Sequence, residues 1–492
     1  MHHKTRFAPS PTGKLHIGSV RTALFCYLLS KQSGGKYLLR IEDTDQARST
    51  TLFEENLLEG FQWLGLDRDA GPGKEDEHGP YYQMQRLELY NSYVQKLLES
   101  WKAYYAWETS EELDAMRDEM NKQKKPFRYR QRAYTEDEIT KYKEEERVPV
   151  IRFKVPVDKV VTFDDHVKGE TSFAMKEFGD FVIVKGDGIP TYHFAVVVDD
   201  IEMKITDVIR GEDHLTNTAK HIVLFDAFGA QKPRFGHLPL LMNNTGKKMS
   251  KRDDPADVGL VLIDQFRDEG FLPGAILNFI ALLGRNPGTD REFFTLEELV
   301  QEFSIERVQK SNAVYDFKRA LRFNSEWIKR LDDAEFVKTV KDYLFLYGAE
   351  SWKEIVENSD DAHWMTIAPY IKVRIQTLKQ FADHCQYFFL RPASIDKDMV
   401  NKEKMKVTDE LVQGFLPDCI DLLEHLSDEQ RTEETIKEEL VSFIKAKELK
   451  NGQVLWPLRA ILTWVEASPG AFEMLTVLGK EESIVRLKEY VK

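Results

Sequence analysis

The sequence predicts an α/β domain with a parallel sheet, interrupted by an α+β insertion and followed by an all-α C-terminal half. Residues 4–41 read as a strand, a loop, a helix and a second strand, and residues 206–228 repeat the step from strand to helix. Such alternation is typical of a parallel sheet with helices on its faces. Beyond residue 257, apolar residues recur almost entirely at helical spacing, which indicates a helical second half.

Length and composition indicate a globular chain. Its 492 residues, 42% hydrophobic and 31% charged, suffice for about three domains with sizeable cores. No run of about 20 apolar residues is present, which excludes a membrane-spanning helix, and no apolar signal region precedes the first strand, so we expect a cytoplasmic protein. The net charge of −14 is unfavourable for nucleic-acid binding, although binding depends on local potential rather than on the total.

The first candidate site is the loop and helix start over residues 9–21. Prolines and a glycine fix the path of the loop, and a helix follows. Its first backbone N–H groups, with Gly18 allowing close approach, suit a phosphate group, and His16 can donate to a phosphate oxygen. The strand 37–41 then delivers Glu42 at its carboxyl end, where parallel sheets bind ligands. A single His-x-Gly is more often a turn than a ligand site, so this motif needs support from elsewhere.

Residues 82–185 are predicted to be the insertion. A long helix opens it, and residues 108–147 are highly charged and helix-prone. Within them, the stretch 122–132 interleaves arginines and lysines with aromatic residues. A charge run is usually a solvated face, but this mixture favours contact with an RNA backbone. Strands are expected at residues 151–155, 160–163 and 181–185.

The α/β pattern resumes at residues 191–200 and supplies a second candidate site. A strand over residues 206–209 ends in Arg210, Glu212 and Asp213, and a helix follows. In isolation Arg210 and Glu212 could be a surface ion pair. Their position at a strand end favours a ligand-facing role.

A basic turn is the third candidate site. The apolar strand 238–242 leads through a polar turn into Lys247, Lys248 and Lys251. Basic turns are normally solvated, but lysines on a turn fed by a buried strand can swing onto a polyphosphate as mobile point charges.

The second half reads as helical scaffold. Asp332 or Asp333 is expected to cap one helix and Gly348 to end it. The last 35 or so residues alternate glycine breaks with helical turns, and no repeat register of roughly 34 or 40 residues is evident. Helical spacing is found over residues 275–283, 331–348, 371–381 and 436–444.

Two of these sites together resemble a known pair of motifs. His16-Ile17-Gly18-Ser19 and the late segment Lys248-Met249-Ser250-Lys251-Arg252 resemble the signature motifs of class I aminoacyl-tRNA synthetases. The resemblance covers essentially the whole chain and is closest to the glutamyl-tRNA synthetases of the bacterial type. The segments that carry this narrower resemblance are residues 6–13, 40–45, 192–195, 209–213, 457–460 and 478–481.

The resemblance implies a Rossmann-type catalytic domain with a parallel sheet, an α+β insertion and an all-α C-terminal anticodon-binding region. The Rossmann domain comprises residues 1–81 and 186–245. The expected further parts are an acceptor-stem-binding insertion (82–185), a stem-contact domain with the basic loop (246–325) and the anticodon-binding region (326–492).

Site residues follow from the same resemblance. A facing arginine selects an acid over an amide through a bidentate pair, and Glu42 suits an ammonium group. The glutamate pocket is expected to consist of Arg6, Ala8, Ser10, Glu42, Tyr192 and Arg210. The ATP site is expected to consist of His16, Gly18, Glu212, Asp213, Lys248, Met249, Ser250 and Lys251, with His16, Lys248 and Lys251 acting in catalysis.

The implied reaction is the ATP-dependent ligation of L-glutamate to tRNA(Glu) through a glutamyl-adenylate. The α-carboxylate attacks the α-phosphorus of Mg·ATP, pyrophosphate leaves, and a ribose hydroxyl of the terminal tRNA adenosine takes the glutamyl group. Alignment and placed cations suffice for this chemistry, without a nucleophilic side chain. Mg²⁺ is expected to come with ATP and not to be held by the protein, and a monomer is expected.

Zinc is not expected, because residues 101–130 contain none of the cysteines that bind it in some relatives. The chain's cysteines, Cys26, Cys385 and Cys419, lie far apart, which also argues against a disulfide framework.

Three positions depart from the family pattern. Ser19 replaces a second histidine of the first motif, Val196 stands where some relatives have an asparagine at the amino-acid site, and Arg285 where a tryptophan is frequent.

Four alternatives stay open. A glutaminyl-tRNA synthetase usually has strand-rich barrels at its C-terminus, and a shorter relative that modifies a tRNA base lacks the second half. A catalytically dead tRNA-binding relative would not need both phosphate motifs, and a plain nucleotidyltransferase would not need the helical half. Whether tRNA(Gln) is also charged, and which residues read the anticodon, is left open.

Overall fold

The computed structural model describes residues 2–46, 49–243, 246–249, 259–391, 397–465 and 467–491. The chain forms two compact units, one of residues 1–266 and 273–320, the other of residues 267–272 and 321–492. Ser250 and Lys251, both predicted ATP-site residues, lie outside the described residues.

The first unit contains a six-stranded sheet in the order β2-β1-β8-β9-β5-β6. All pairs from β2 to β5 are parallel, which confirms the predicted α/β class, whereas β5 and β6 form an antiparallel hairpin. The strands of this sheet are β1 (Lys4–Phe7), β2 (Lys36–Leu39), β5 (Val160–Asp165), β6 (Gly169–Ala174), β8 (Asp207–Gly211) and β9 (Arg234–Leu238).

Two smaller sheets accompany it. Strands β3 (Ala103–Ala106), β4 (Val150–Phe153) and β7 (Phe181–Val184) form an antiparallel sheet in that order. Strands β10 (Leu241–Met242) and β11 (Ala313–Val314) pair in parallel.

Within the run 191–200 of the first unit, residues 192–200 are helical, and those from Phe194 to Asp200 are buried, so the valines of this helix pack in the core of an α/β layer. The helices are α1 (Ile17–Gln32), α2 (Thr51–Leu64), α3 (Leu87–Glu99), α4 (Ser110–Lys122), α5 (Glu136–Glu144), α6 (Tyr192–Glu202), α7 (Leu215–Phe228), α8 (Ile263–Asp268), α9 (Pro273–Ala281), α10 (Leu296–Glu302) and α11 (Phe317–Arg330), of which α8 and α11 each continue into the second unit.

The second unit is helical in its described residues, as predicted. Asp332 caps its first complete helix by accepting the Glu335 N–H, and Gly348 follows the last turn. None of the helices described here combines the length and the apolarity needed to cross a membrane. The helices are α12 (Asp333–Tyr347), α13 (Glu350–Asn358), α14 (Asp361–Ile371), α15 (Leu378–His384), α16 (Lys397–Val400), α17 (Asp409–His425), α18 (Glu433–Ala446), α19 (Asn451–Thr463) and α20 (Ala471–Val491).

Two local predictions differ from the structure, and one strand was not predicted. The strand predicted over residues 238–242 is split, because Pro239 has no N–H for a sheet ladder. The helical spacing over residues 371–381 belongs to the end of α14 and the start of α15, whose apolar residues share one core without sharing a helix. Strand β6 was not predicted.

The hairpin β5–β6 belongs to the insertion in sequence but to the main sheet in structure. It lies within residues 82–185, yet β5 pairs with β9 and extends the main sheet. This pairing places Asp165, the last residue of β5, opposite Phe235 of β9, and the Asp165 carboxylate contacts the His237 side chain.

Candidate active site

One cavity of about 1190 Å³ opens at the carboxyl ends of β1, β2, β8 and β9 and at the start of α1. This is the sheet edge at which a parallel α/β fold binds ligands. The cavity collects nearly all of the predicted site residues that the structure describes: Arg6, Ala8, Ser10, His16, Gly18, Glu42, Tyr192, Arg210, Asp213, Lys248 and Met249.

His16 is fixed at the start of α1. It is the N-cap residue, and its Nδ1 accepts the Gly18 N–H at 3.0 Å. A neutral imidazole whose Nδ1 accepts carries its proton on Nε2, so the hydrogen bond assigns the tautomer. His16 is therefore set to donate from Nε2 beside the positive end of the α1 dipole.

Arg6 and Arg40 share one buried carboxylate. Arg6 donates to both oxygens of Asp200, from Nε at 3.0 Å and from Nη2 at 3.2 Å, and Arg40 donates to Asp200 Oδ1 at 2.8 Å. Burial alone would raise the pKa of Asp200, but the charges of Arg6 and Arg40 lower it below its ordinary value. Asp200 is thus held as an anion between two guanidinium groups.

Glu42 sits in the same buried cluster. Its Oε1 accepts from Arg40 Nη2 at 3.0 Å, and the residue lines the cavity. Burial outweighs the neighbouring arginine charges and raises the pKa of Glu42. A carboxylate this poorly solvated gains strongly from a cationic ligand.

Three buried arginines in this region balance three buried carboxylates. Their contacts run from Arg6 and Arg40 to Asp200, from Arg40 to Glu42, and from Arg86 to Asp199 at 2.7 Å. Arg210, also buried, is not part of this balance. Among the described residues, no carboxylate oxygen lies within 4.0 Å of its guanidinium.

Asp213 and Lys248 face each other at the cavity mouth. Their ion pair is 3.1 Å long, and both side chains are about half exposed. Such a pair contributes little to stability, so Lys248 can change partner at small cost when an anion enters.

Glu212 does not line the cavity. Its carboxylate pairs with Lys168 and accepts the Leu240 N–H at 3.2 Å, which ties β8 to the segment after β9. In the structure, this predicted ATP-site residue therefore connects two segments of the fold and does not face the cavity. Val196 does line the cavity with an apolar side chain, so position 196 offers no side-chain hydrogen bond there.

Sequence reasoning missed Arg40, Asp200, His237 and Asp165 as parts of the site. Each is charged or titratable and fully or nearly fully buried. A charged residue within an apolar strand or helix, such as Arg40 at the end of its strand or Asp200 in α6, is a usable signal, because it requires a buried partner.

The three arginines of the basic stretch in the insertion are paired with carboxylates of the protein. Arg128 pairs with Glu177, Arg132 donates to Glu108 at 2.8 Å, and Arg130 approaches Asp180 at 3.4 Å. These arginines remain partly exposed, but their charges are already opposed, so the RNA contact inferred from their pattern stays a prediction.

Comparison with known proteins agrees with the motifs. The family described as tRNA synthetases class I (E and Q), catalytic domain, matches residues 3–323, and the family described as anticodon binding domain matches residues 335–491. The chain is 40% identical over 490 residues to a glutamate–tRNA ligase of Thermodesulfovibrio yellowstonii, with 99% of each chain covered. It is 37% identical to a glutamate–tRNA ligase of Carboxydothermus hydrogenoformans, with 98% of each covered.

Solved structures agree as well. A glutamate tRNA ligase from Elizabethkingia meningosepticum, solved in complex with its amino acid, is 33% identical and superposes with a TM-score of 0.87, covering 100% of this chain and 99% of that one. A glutamate–tRNA synthetase from Elizabethkingia anophelis gives a TM-score of 0.84 at 33% identity, with both chains fully covered. The motif-based prediction of the family is confirmed: this chain belongs to the class I tRNA synthetases of the glutamate and glutamine group and, within it, to the glutamate–tRNA ligases.

Proposed function

We propose that this chain ligates L-glutamate to tRNA(Glu) through a glutamyl-adenylate, and that the cavity described above holds glutamate and ATP together. The observation that carries the assignment of the pocket is Arg210, a buried cation on the cavity wall without a carboxylate of the described chain beside it. A buried guanidinium in this state favours an anionic ligand over a neutral one.

Glutamate is placed by charge. Glu42 receives the α-ammonium group, because it is the cavity carboxylate that burial leaves poorly solvated. We assign the side-chain carboxylate to Arg210, since Arg6 already commits its Nε and Nη2 to Asp200. Tyr192, which accepts from Arg210 at 3.1 Å and lies 3.2 Å from His214 Nδ1, helps to fix the guanidinium group on the cavity wall. Arg6, Ala8 and Ser10 complete the pocket.

ATP is placed along the start of α1. We assign the Nε2–H of His16 to the phosphates at the positive end of the α1 dipole, where Gly18, whose N–H is bonded to His16 Nδ1, allows close approach. Lys248 adds a mobile positive charge from the opposite side, and we assign the same role to Lys251. Mg²⁺ is supplied with the nucleotide.

The reaction then needs positioning and charge stabilisation. Glutamate held by Glu42 and Arg210 directs its α-carboxylate at the α-phosphorus, and pyrophosphate leaves towards His16 and Lys248. The terminal ribose hydroxyl of the tRNA then attacks the carbonyl of the adenylate, takes the glutamyl group and releases AMP. We assign residues 82–185 to the acceptor stem, 246–325 to stem contact and 326–492 to the anticodon, and we expect a monomer that works in the cytoplasm.

Two assays test the proposal. ATP–pyrophosphate exchange with tRNA present should depend on glutamate, and aminoacylation should convert purified tRNA(Glu). Running the second assay against tRNA(Gln) as well measures whether the chain charges both. Exchange that responds to glutamine and not to glutamate would contradict the assignment, and the absence of both activities would identify a tRNA-binding relative without catalysis.

A further inference from the structure

Three buried, uncharged side chains hold Arg210 on the side away from the cavity. Thr218, His221 and His237, called here the back layer, are all buried and do not line the cavity. Arg210 donates from Nη2 to Thr218 Oγ1 at 2.7 Å, from Nη1 to His221 Nδ1 at 3.3 Å and from Nε to His237 Nε2 at 3.2 Å.

The two remaining donors of the guanidinium meet neutral oxygens at the cavity wall. Nη1 donates to Tyr192 Oη at 3.1 Å, and Nη2 to the backbone oxygen of His214 at 3.4 Å. All five N–H groups are therefore oriented by dipoles, while the positive charge is not cancelled. The two wall contacts involve residues that line the cavity, so they are the ones that a substrate carboxylate can replace.

Hydrogen-bond direction fixes the imidazoles of the back layer as neutral. Each receives an N–H from Arg210, so a proton on the receiving nitrogen would oppose that donor. His237 carries its proton on Nδ1, where Asp165 Oδ2 accepts it at 2.5 Å. Burial lowers the pKa of both histidines, which agrees with this assignment.

The sheet order explains how the anion is kept at a distance. Asp165, His237 and Arg210 stand on the neighbouring strands β5, β9 and β8, and Arg210 pairs in register with His237. A neutral imidazole thus separates the carboxylate of Asp165 from the guanidinium. Asp165 orients the ring, and the ring orients Arg210.

A second chain of hydrogen bonds leads away from His221. Its Nε2–H is directed at His193 Nδ1, 3.2 Å away, and His193 Nε2 in turn lies 3.3 Å from Lys220 Nζ.

We propose that Thr218, His221 and His237 are positioning residues that aim Arg210 and, by remaining neutral, reserve its charge for the substrate's side-chain carboxylate. The inference rests on the proposed function and deepens it, because it states how the pocket prefers glutamate to glutamine. An amide at this place leaves a buried guanidinium without a counter-ion, and only a carboxylate supplies one. A carboxylate built into the back layer would remove that preference.

The decisive test compares His221→Asp with His221→Asn. Both side chains end near the place of the imidazole Nδ1 and have similar size, so the pair differs in charge alone. We expect H221D to raise the KM for glutamate by at least about tenfold over H221N and to lower the preference for glutamate over glutamine by a similar factor. The KM for ATP, and kcat at saturating glutamate, should agree between the two variants.

If H221D and H221N have equal KM values for glutamate and equal selectivity, the inference is overturned. It is also overturned if H221D is impaired relative to H221N in kcat and in the KM values for both glutamate and ATP. A wild-type chain that makes no glutamyl-tRNA overturns the proposed function and this inference with it, whereas an active wild type with equal variants overturns the inference alone. If H221D does not fold, Thr218→Asp against Thr218→Asn poses the same question at the Nη2 edge of Arg210, with the same expected and contrary results.

Discussion

The Nδ1 atom of His16 accepts the backbone N–H of Gly18 at 3.0 Å. One contact therefore both caps helix α1 and selects the tautomer that leaves Nε2 protonated. The capping atom Nδ1 and the proposed phosphate donor Nε2 belong to the same ring, and substitution can separate their roles.

His16→Asn keeps an acceptor near the position of Nδ1 and removes the donor at Nε2, whereas His16→Gln can place an amide N–H near Nε2. We expect H16N to lower the rate of ATP–pyrophosphate exchange by about 10²–10³ at unchanged glutamate KM, the size of one lost charge-stabilising donor. H16Q should retain more activity than H16N. The opposite order would mean that His16 acts through the cap.

Lys248→Ala should slow glutamate activation by at least about tenfold, because it removes a charge from the leaving pyrophosphate. The glutamate KM should stay within about twofold, since the lysine lies on the ATP side of the proposed site. Steady-state exchange kinetics measure both values. Lys247→Ala is the matched control, because Lys247 is an exposed neighbour that does not line the cavity.

We expect Lys251→Ala to behave like Lys248→Ala. This prediction comes from the motif, because Lys251 lies outside the described residues. Equal losses of glutamate affinity and activation rate would show that the loop only shapes the site.

Asp200→Asn should destabilise the chain by about 3–5 kcal/mol, because it leaves the buried guanidinium groups of Arg6 and Arg40 without their shared anion. Urea unfolding followed by fluorescence measures the change. Asp114→Asn is the control: its partner Arg117 and the carboxylate are both more than half exposed, so we expect less than about 0.5 kcal/mol. Similar losses in both variants would refute the role of Asp200.

Two histidines of the cavity wall, His193 and His214, should remain neutral at pH values far below the ordinary pKa of histidine. Burial, with the nearby charges of Lys220 and Arg210, lowers the pKa of His193 to about 3, and burial beside Arg210 lowers that of His214 to about 4. NMR of histidine-labelled protein should show their ring signals unchanged from pH 7.5 to 5.5. Replacement of each histidine in turn assigns the signals, and titration near pH 6.5 would contradict the prediction.

The lowered pKa values of His193 and His214 also predict how the free energy of unfolding changes with pH. The unfolded chain takes up protons on these histidines as the pH falls through about 6.5, while the folded chain does not. Their contribution to folding is therefore complete above pH 6.5 and is lost progressively towards the folded pKa values of about 3 and 4. Unfolding free energies measured at pH 7.5 and 5.5 should be lower at the acidic value.

Features that depend on residues close together in the sequence could be predicted, whereas features that depend on contacts between distant residues could not. The start of α1 at Ile17, the cap at Asp332 and the strand-end positions of Glu42 and Arg210 follow from local spacing, and the structure agrees. The insertion is different. Its hairpin β5–β6 joins the main sheet, and nothing in the local alternation of residues 160–174 indicates which sheet they extend.

By itself, the sequence determined most of the elements, the cap at Asp332, the two motifs and the family, because periodicity, capping and motif spacing are properties of neighbouring residues. Only the tertiary structure decided which charges meet. Arg6 finds Asp200 across 194 positions, and Asp165 reaches His237 across 72. Those pairings depend on long-range packing, which also leaves the buried Arg210 without a carboxylate partner among the described residues.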